Sequence, residues 1–195
     1  SHGIGMVHQH FMLVENMTIA ENIVLGSEPT KSFGRLDRTM MNDMIRDFGK
    51  QYGLEVDPEE VIMDVSVATQ QRVEILKALF RGVDILILDE PTAVLTPQEI
   101  DSLIVTMRSL VADGKTIIII THKLKEIMAA ADDCTVIRRG ELIGTVRVSD
   151  VTERDLASMM VGREVRLTTA KDKAKPGERV MEIRNLTVKD ARGIP

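Results

Sequence analysis

Two short runs of large aliphatic residues stand out in the hydrophobic pattern of the chain. Residues 85–88 and residues 117–120 are apolar at four successive positions, without the alternation that a half-exposed strand shows. Such runs are typical of strands buried on both faces, as in a parallel sheet covered by helices. We therefore expect two interior strands at these positions.

The residues between the two runs carry the signals of one helix. Residues 96–99 combine an N-cap threonine, a proline at the first helical position and a capping-box glutamate, and Gly114 follows the last turn. A strand, a helix and a second strand in this order form a βαβ unit, in which the two strands are parallel. The residues that follow the strands, Glu90 and His122, should then lie side by side at one edge of the sheet.

Apolar residues at helical spacing, together with capping signals, predict further helices on both sides of this unit. The predicted elements are a short helix opened by Thr18 and Glu21, helices over 37–52 and 69–80, a helical turn from Asp57, helices over 123–131 and 152–162, and a hairpin over 134–146. A mainly helical segment over 16–82 thus precedes the strand pair, and a hairpin with a helix follows it. The fold class that this order predicts is α/β.

The pattern changes after Gly162. Residues 163–178 are rich in Lys and Thr and contain Pro176, which is typical of a linker. Apolar residues alternate with polar residues over 179–188, as expected of an edge strand. The pattern therefore predicts a linker followed by an edge strand.

The composition narrows the classes of protein that fit. A hydrophobic fraction of 44% and a charged fraction of 28% are ordinary for a globular domain. The net charge of −5 and the lack of a dense basic patch in the sequence argue against nucleic acid as a partner. No run approaches the roughly 18 apolar residues that a membrane-spanning helix needs, so any membrane role is expected to depend on docking to a partner. Cys134 is the single cysteine, which excludes an intrachain disulfide.

Two carboxylates and a proline close the first apolar run. Asp89 and Glu90 come directly after the strand, and Pro91 ends its ladder because proline has no N–H to donate. The carboxyl ends of strands in an open α/β sheet border the ligand crevice, so both acids are expected there. A hydrophobic strand followed by two acids matches the Walker B pattern of nucleotide-hydrolysing enzymes, in which the first acid serves Mg²⁺ and the second orients or deprotonates water.

Four motifs together resemble the ATP-binding-cassette ATPases. In the order of that family, the chain has Gln9, residues 65–72 (VSVATQQR), residues 85–90 (ILILDE) and His122. The stretches over 4–26 and 72–100 are similar to the subunits that energise bacterial importers of simple sugars and nucleosides, which carry two cassettes in one polypeptide. The sequence MVHQHFML within the first stretch is most similar to the nucleoside-type branch of these importer subunits.

The resemblance implies a role for each residue at the strand ends. Glu90 would be the catalytic base that polarises the attacking water, and His122 would contact the γ-phosphate of ATP. Asp89 would hold Mg²⁺, largely through water. Gln9 would touch Mg²⁺ and water when ATP is bound, and would couple the site to the membrane partner through the helices that follow.

The resemblance also implies a nucleotide-binding segment at the start of the helix near Thr69. The N-terminus of this helix would point at the γ-phosphate held by the opposite cassette, with Ser66, Ala68, Thr69 and Gln70 as the contacting residues. The pair of glycines usual in the family is replaced by Val67 and Ala68. A Cβ at position 68 disfavours positive φ and blocks the closest approach of backbone to phosphate, so this departure counts against activity at the half-site.

The phosphate-binding loop of the family has no counterpart in the sequence. The pattern Gly-x-x-x-x-Gly-Lys-Ser/Thr does not occur; residues 114–116 (GKT) lack the upstream glycine, because position 109 is Ser, and they lead into a strand instead of following one. We therefore expect a piece of a longer protein whose front portion is missing.

The domain organisation implied by the resemblance is a partial first cassette followed by a stub of a second. Residues 1–162 would be the C-terminal portion of the first ATP-binding domain, with a helical subdomain over 16–82, the remainder of a RecA-like parallel core over 83–133, and a hairpin and helix over 134–162. Residues 163–178 would be a linker, and residues 179–195 would contain the first strand of the second cassette.

The intact protein would hydrolyse ATP, with Mg²⁺, to power uptake of simple sugars or nucleosides, whereas this chain alone would be inactive. The implied partners are transmembrane permease subunits, the second cassette and, indirectly, a solute-binding lipoprotein, at the cytoplasmic face of the bacterial membrane. Two other classes stay open. One is a soluble cassette protein that acts on ribosomes or DNA, and the other is a non-catalytic regulatory or docking cassette, which Ala68 makes plausible.

Overall fold

The computed structural model describes residues 3–29, 37–163, 177–178 and 180–188. Within these ranges the elements are β1 (Ile4–Val7), α1 (Ile19–Val24), α2 (Arg38–Gln51), α3 (Val67–Phe80), β2 (Ile85–Asp89), α4 (Pro97–Ala112), β3 (Thr116–Ile120), α5 (Leu124–Ala130), β4 (Asp133–Arg138), β5 (Glu141–Arg147) and α6 (Glu153–Val161). No helix in these ranges is both long enough and apolar enough to cross a membrane.

Strands β1, β2 and β3 form a parallel sheet in that order. The register pairs Val7 of β1 with Leu88 of β2. The predicted βαβ unit is confirmed, because β2 and β3 are parallel neighbours and α4 connects them. All three strands run in the same direction, so the segments that carry Gln9, Glu90 and His122 leave the sheet at the same edge.

The expectation that both strands are buried on two faces is wrong. In β2, Leu86 and Leu88 are 1% and 0% exposed, but the alternate positions are only partly buried. In β3, Ile118 and Ile120 are 47% and 48% exposed. An apolar run indicates that a strand can be buried on both faces, but the elements that pack on the sheet decide which faces are buried. Here α4 packs against β3, and the other face of this strand stays open in the part of the chain that is described.

An apolar groove of about 620 Å³ runs along the open side of β3. Its lining includes Ile118 and Ile120 of β3, Ile127 of α5, and Cys134 and Ile137 of β4. β3 is the last strand of its sheet, and no further strand pairs with it among the described residues. The groove therefore lies between an unpaired parallel edge and the β4–β5 hairpin.

The helices and the sheet share one hydrophobic core. Helices α1, α2 and α3 contribute Ile19, Ile23, Met41, Ile45, Ile75 and Leu76, and the same cluster continues to Leu86, Leu88, Leu103, Met107 and Leu110 of β2 and α4. α3 packs against α1, α2 and β1, so it joins the helical segment to the sheet. Helices α1, α2 and α3 lie within the range 16–82 that was predicted to be helical, and their apolar core is continuous with that of the sheet.

The predicted capping boxes are present at the starts of α1, α4 and α6. α3 begins at Val67, two residues before its predicted start, because the Oγ of Ser66 accepts the N–H of Thr69 at 3.2 Å and acts as the N-cap. The helical turn predicted from Asp57 is a turn without a helix. The helical geometry comes later, as a 3₁₀ turn over Ile62–Asp64.

The predicted hairpin is present, whereas the predicted C-terminal strand is not. The turn between β4 and β5 places Arg139 at φ 54° and Gly140 at φ 80°, and two positive values are what a type I′ turn requires. The described residues 180–188 form no strand, and Val180 is 98% exposed. An alternating sequence becomes a strand only beside a neighbour that completes its hydrogen bonds, and none of the described strands pairs with it. The predicted linker over 163–178 lies almost wholly outside the described residues.

Candidate functional site

A carboxylate and an imidazole meet at the C-terminal edge of the sheet. Glu90 follows β2 and His122 follows β3, and the Nδ1 of His122 lies 2.7 Å from the Oε1 of Glu90. The expected proximity of these two residues is confirmed. The Glu90 side chain is 19% exposed and the His122 side chain is 73% exposed, so the carboxylate is recessed and the imidazole is open to solvent.

Glu90 has a left-handed backbone conformation. Its φ is 46°, which costs a residue with a Cβ roughly 1–3 kcal/mol unless its surroundings hold it there. The N–H of Glu90 donates to the carbonyl of Ile120 at 2.9 Å, and the carbonyl of Glu90 accepts the N–H of Ala93 at 3.2 Å. The turn after β2 is thereby held in the shape that brings Glu90 to His122.

The second carboxylate oxygen of Glu90 is buried. Its Oε2 accepts no hydrogen bond from the described residues. A buried polar atom without a partner is costly, so native proteins keep few of them, and each calls for an explanation. A carboxylate with one oxygen bonded to an imidazole and the other unbonded has the chemistry of a general base for a water molecule that reaches the second oxygen.

Asp89 and Gln9 belong to the same sheet edge. Asp89 is the last residue of β2 and is half-buried, and Gln9 lies two residues beyond β1 and is exposed. The described residues contain no group of three or more His, Cys, Asp or Glu side chains that could hold a metal ion. Mg²⁺ at nucleotide sites is usually bound through one or two carboxylates, with water and phosphate oxygens as the other ligands, so the few oxygen donors at this edge fit such a site.

A buried polar network that the sequence analysis missed adjoins this pair. The hydroxyl of Thr92 donates to Oε1 of Glu126 at 2.6 Å, and Nζ of Lys123 donates to the carbonyl and hydroxyl oxygens of Thr92 at 2.8 and 3.0 Å. Thr92 and Glu126 are 2% and 7% exposed. The network joins the turn after Glu90 to the segment after His122. The only signal for it in the sequence is the spacing of Lys123 and Glu126, and a lysine three residues before a glutamate is too common on solvated helix faces to predict a buried network.

The start of α3 corrects one expectation about Ala68. The sequence analysis expected the Cβ of Ala68 to oppose a positive φ. The non-glycine residues with positive φ in the described part of the chain are Glu90, Arg139 and Asn185, and Ala68 is helical. The conformational objection to Ala68 is therefore wrong, because the helix already begins at Val67. The steric objection, a Cβ in the path of an approaching phosphate, stays a prediction.

The other predicted nucleotide contacts take part in hydrogen bonds at the start of α3. The Oγ of Ser66 lies 3.1 Å from the Oγ1 of Thr69, whose backbone N–H it also accepts. The Nε2 of Gln70 donates to the carbonyls of Ile62 and Val65 at 3.3 and 3.4 Å. Gln70 therefore holds the segment before the helix. The group belongs to α3 and not to the sheet edge, and its contact with nucleotide stays a prediction.

Fold and site together define the class of protein. The fold is similar to the ADP conformation of MJ1267, an ATP-binding cassette of an ABC transporter, with a TM-score of 0.65 and 21% identity, over 83% of this chain and 69% of that chain. It is also similar to cbiO1 from Clostridium perfringens, part of the ABC transporter complex cbiONQ, with a TM-score of 0.65 and 23% identity, over 80% and 61% of the two chains. Residues 1–93 match the profile of the family described as ABC transporter. Over these residues the chain has the sequence pattern of the ABC transporter family, and its fold is that of the ATP-binding cassettes described above.

Relatives within the family are import proteins. The chain is 58% identical over 192 residues to the guanosine import ATP-binding protein NupO of Bacillus subtilis, and 55% identical over 191 residues to the nucleoside import ATP-binding protein NupA of Lactococcus lactis subsp. cremoris. It is 47% identical over 219 residues to the glucose import ATP-binding protein TsgD13 of Haloferax volcanii. Each match covers 98% of this chain. The chain spans 38% of the length of NupA and of NupO, and 40% of the length of TsgD13.

Proposed function

We propose that the full-length protein of which this chain is a part hydrolyses ATP to power the import of nucleosides or simple sugars. The observation that carries the proposal is the Glu90 carboxylate, bonded through one oxygen to His122 and with its other oxygen free of described partners. The solute class is supported by the guanosine, nucleoside and glucose import proteins described above, which are 47–58% identical to this chain over 98% of its length.

In this proposal, the chain's own residues position and activate water. Glu90 accepts a proton from the attacking water through Oε2, and His122 orients Glu90 and faces the γ-phosphate. Asp89 and Gln9 would hold Mg²⁺, which supplies neutralisation of charge on the phosphate oxygens when it is bound. Ser66, Ala68 and Thr69 would present the N-terminus of α3 to the nucleotide of the opposite cassette.

The rest of the machinery is proposed to come from outside this chain. The phosphate-binding loop, which the sequence lacks, would belong to another part of the full-length protein, and a second cassette would follow the linker over 163–178. Transmembrane permease subunits would be the direct partners, and a solute-binding lipoprotein an indirect one. The protein would then work at the cytoplasmic face of the bacterial membrane.

Glu90→Gln in the full-length protein tests the proposal. We expect ATP turnover to fall by at least about a hundredfold, because Gln cannot take a proton, whereas ATP binding changes by less than threefold. Turnover is measured by phosphate release and binding by calorimetry. Glu141→Gln, at the start of β5 and exposed, is the control and should leave both unchanged. Undiminished turnover in Glu90→Gln would show that Glu90 is not the base.

A non-catalytic regulatory cassette remains the second candidate, and Ala68 is the observation that favours it. The helical conformation of Ala68 removes the conformational argument against activity and leaves only the steric one. A soluble cassette that acts on ribosomes or DNA has less support, because the net charge is −5 and the relatives described above are import proteins.

A further inference from the structure

A buried carboxylate in the middle of α3 has no part in the site described above. Glu74 is 5% exposed and lies between Val73 and Ile75, which are 0% and 1% exposed. Burial of a charge is costly unless hydrogen bonds and an opposite charge compensate for it. The partners of Glu74 therefore indicate what this side chain is for.

The partners of Glu74 are a lysine and a backbone amide. The N–H of Met12 donates to Oε1 of Glu74 at 3.0 Å, and Nζ of Lys77 lies 3.7 Å from the same oxygen. The Nζ of Lys77 also donates to the carbonyl of Met12 at 2.7 Å. Glu74 and Lys77, almost one helical turn apart, thus bind the backbone N–H and the backbone carbonyl of Met12. The Met12 side chain plays no part in this, since the residue is 66% exposed.

Met12 lies in the segment that carries Gln9. Residues 8–14 connect β1 to the N-terminal region of α1 and have no helix or strand geometry. A second hold follows at Val14, where the fully buried Asn22 of α1 accepts the N–H at 2.7 Å and donates to the carbonyl at 3.0 Å. Gln9 therefore lies between the end of β1 and Met12, and Met12 is fixed to α3 by Glu74 and Lys77.

We propose that Glu74 and Lys77 form a clamp that makes the position of Gln9 depend on the position of α3. The inference rests on the proposed function, in which Gln9 serves the sheet-edge site and the N-terminus of α3 serves the opposite cassette. α3 has 14 residues, so it is a rigid rod of about 21 Å. Ser66 caps its N-terminus, and the two clamp residues lie 8 and 11 residues beyond Ser66. Movement of this rod would reach Gln9 through the clamp, so Glu74 and Lys77 are positioning residues and not catalytic residues.

A double-mutant cycle in the full-length protein tests the clamp. Lys77→Met removes the donor to the Met12 carbonyl, and we expect kcat for ATP hydrolysis to fall about tenfold with KM within twofold, as for a misplaced catalytic group. In a Gln9→Ala background, the same change should alter kcat by less than twofold, because the residue that the clamp positions is gone. Lys77→Arg, which keeps a cationic donor, should restore most of kcat.

Lys115→Met is the matched control. Lys115 precedes β3 at the opposite edge of the sheet, and its Nζ forms a 3.0 Å ion pair with Asp84 at 22% side-chain exposure. The same Lys to Met change there should leave kcat unchanged in both backgrounds. A general loss of stability would instead lower kcat at either lysine and with or without Gln9.

Hydrogen exchange gives a readout that needs no turnover. Lys77→Met, or Glu74→Gln where the first variant does not fold, should speed amide exchange over residues 8–14 without a change in β1 or α1. Unchanged exchange over 8–14, or an equal fall of kcat in both backgrounds, overturns the clamp alone. Absence of ATP hydrolysis by the unsubstituted protein overturns the proposed function, and the clamp with it.

Discussion

Single residues at the sheet edge are held in place by contacts with residues that lie outside the sequence motifs. Glu90 has a φ of 46°, and the turn next to it is tied to the His122 segment through Thr92, Lys123 and Glu126. The sequence predicted that Asp89 and Glu90 follow the apolar part of this strand, and β2 ends at Asp89. The strained backbone of Glu90 and the buried network could not be predicted from the sequence, because they depend on hydrogen bonds between residues 30–34 positions apart.

Thr92→Val tests the network at the scale of one hydroxyl group. Oε1 of Glu126 loses its 2.6 Å donor and keeps, among the described residues, only the Nζ of Lys123, at 3.3 Å, so we expect the free energy of unfolding of this chain to fall by about 1–3 kcal/mol in urea denaturation. Thr92→Ser keeps the hydroxyl and should recover most of the loss. Thr135→Val removes an exposed bond to Thr145 and should cost less than about 0.5 kcal/mol. Equal losses at positions 92 and 135 would refute a special role for the buried network.

Helices begin where local hydrogen bonds fix them, and α4 is the clearest case. The N–H and the hydroxyl of Thr96 donate to Oε2 of Glu99 at 2.7 and 2.8 Å. These bonds, the backbone one first, lower the pKa of Glu99 below its ordinary value of 4.5. This capping box was readable from the sequence, because all of its members lie within four residues.

The pH dependence of the α4 cap follows from the lowered pKa of Glu99. A carboxyl group whose pKa is lower in the folded state stabilises that state above its unfolded pKa, and the effect is lost as the pH falls through the folded value. Glu99→Gln should therefore lower the urea midpoint at pH 7, and the difference from the unsubstituted chain should vanish in acid, once Glu99 is protonated in both states. A difference that persists in acid would mean that the charge of Glu99 is not its source.

Ala68→Gly tests the start of α3. Because Ala68 is already helical, the backbone amides at this helix end do not need a glycine to take their orientation. We expect kcat of the full-length protein to change by less than about twofold, since glycine relaxes no strain there. A rise of tenfold or more would show instead that the Cβ obstructs the phosphate, and would revive the regulatory interpretation of this cassette.

At the scale of the whole molecule, the described residues combine one continuous core with an unpaired sheet edge. The core runs from α1 through α3 to β2 and α4, while the groove along β3 exposes Ile118 and Ile120. The sequence of this chain has no phosphate-binding loop. In the proposed function, the chain would hold the water-activating side of a nucleotide site without the loop that holds the phosphates.

Calorimetric titration with Mg·ATP tests, for the whole molecule, whether this chain binds nucleotide without a phosphate-binding loop. We expect no measurable heat of binding to the 195-residue chain and clear binding to the full-length protein, because most of the affinity for phosphates comes from the loop amides and lysine. The chain with Glu90→Gln serves as a control for binding at the sheet edge alone. Tight binding by the unsubstituted chain would reveal a phosphate site elsewhere in it.

The sequence by itself determined the features whose causes are local. Capping boxes set the starts of α1, α4 and α6, a pair of positive φ values closes the β4–β5 turn, and the βαβ order made Glu90 and His122 neighbours. Tertiary structure alone decided which strand faces are covered, how Glu74 and Lys77 hold Met12, and why residues 180–188 are not a strand. The physical reason is that capping and turn bonds close within a few residues, whereas burial and strand pairing depend on partners that are distant in the chain.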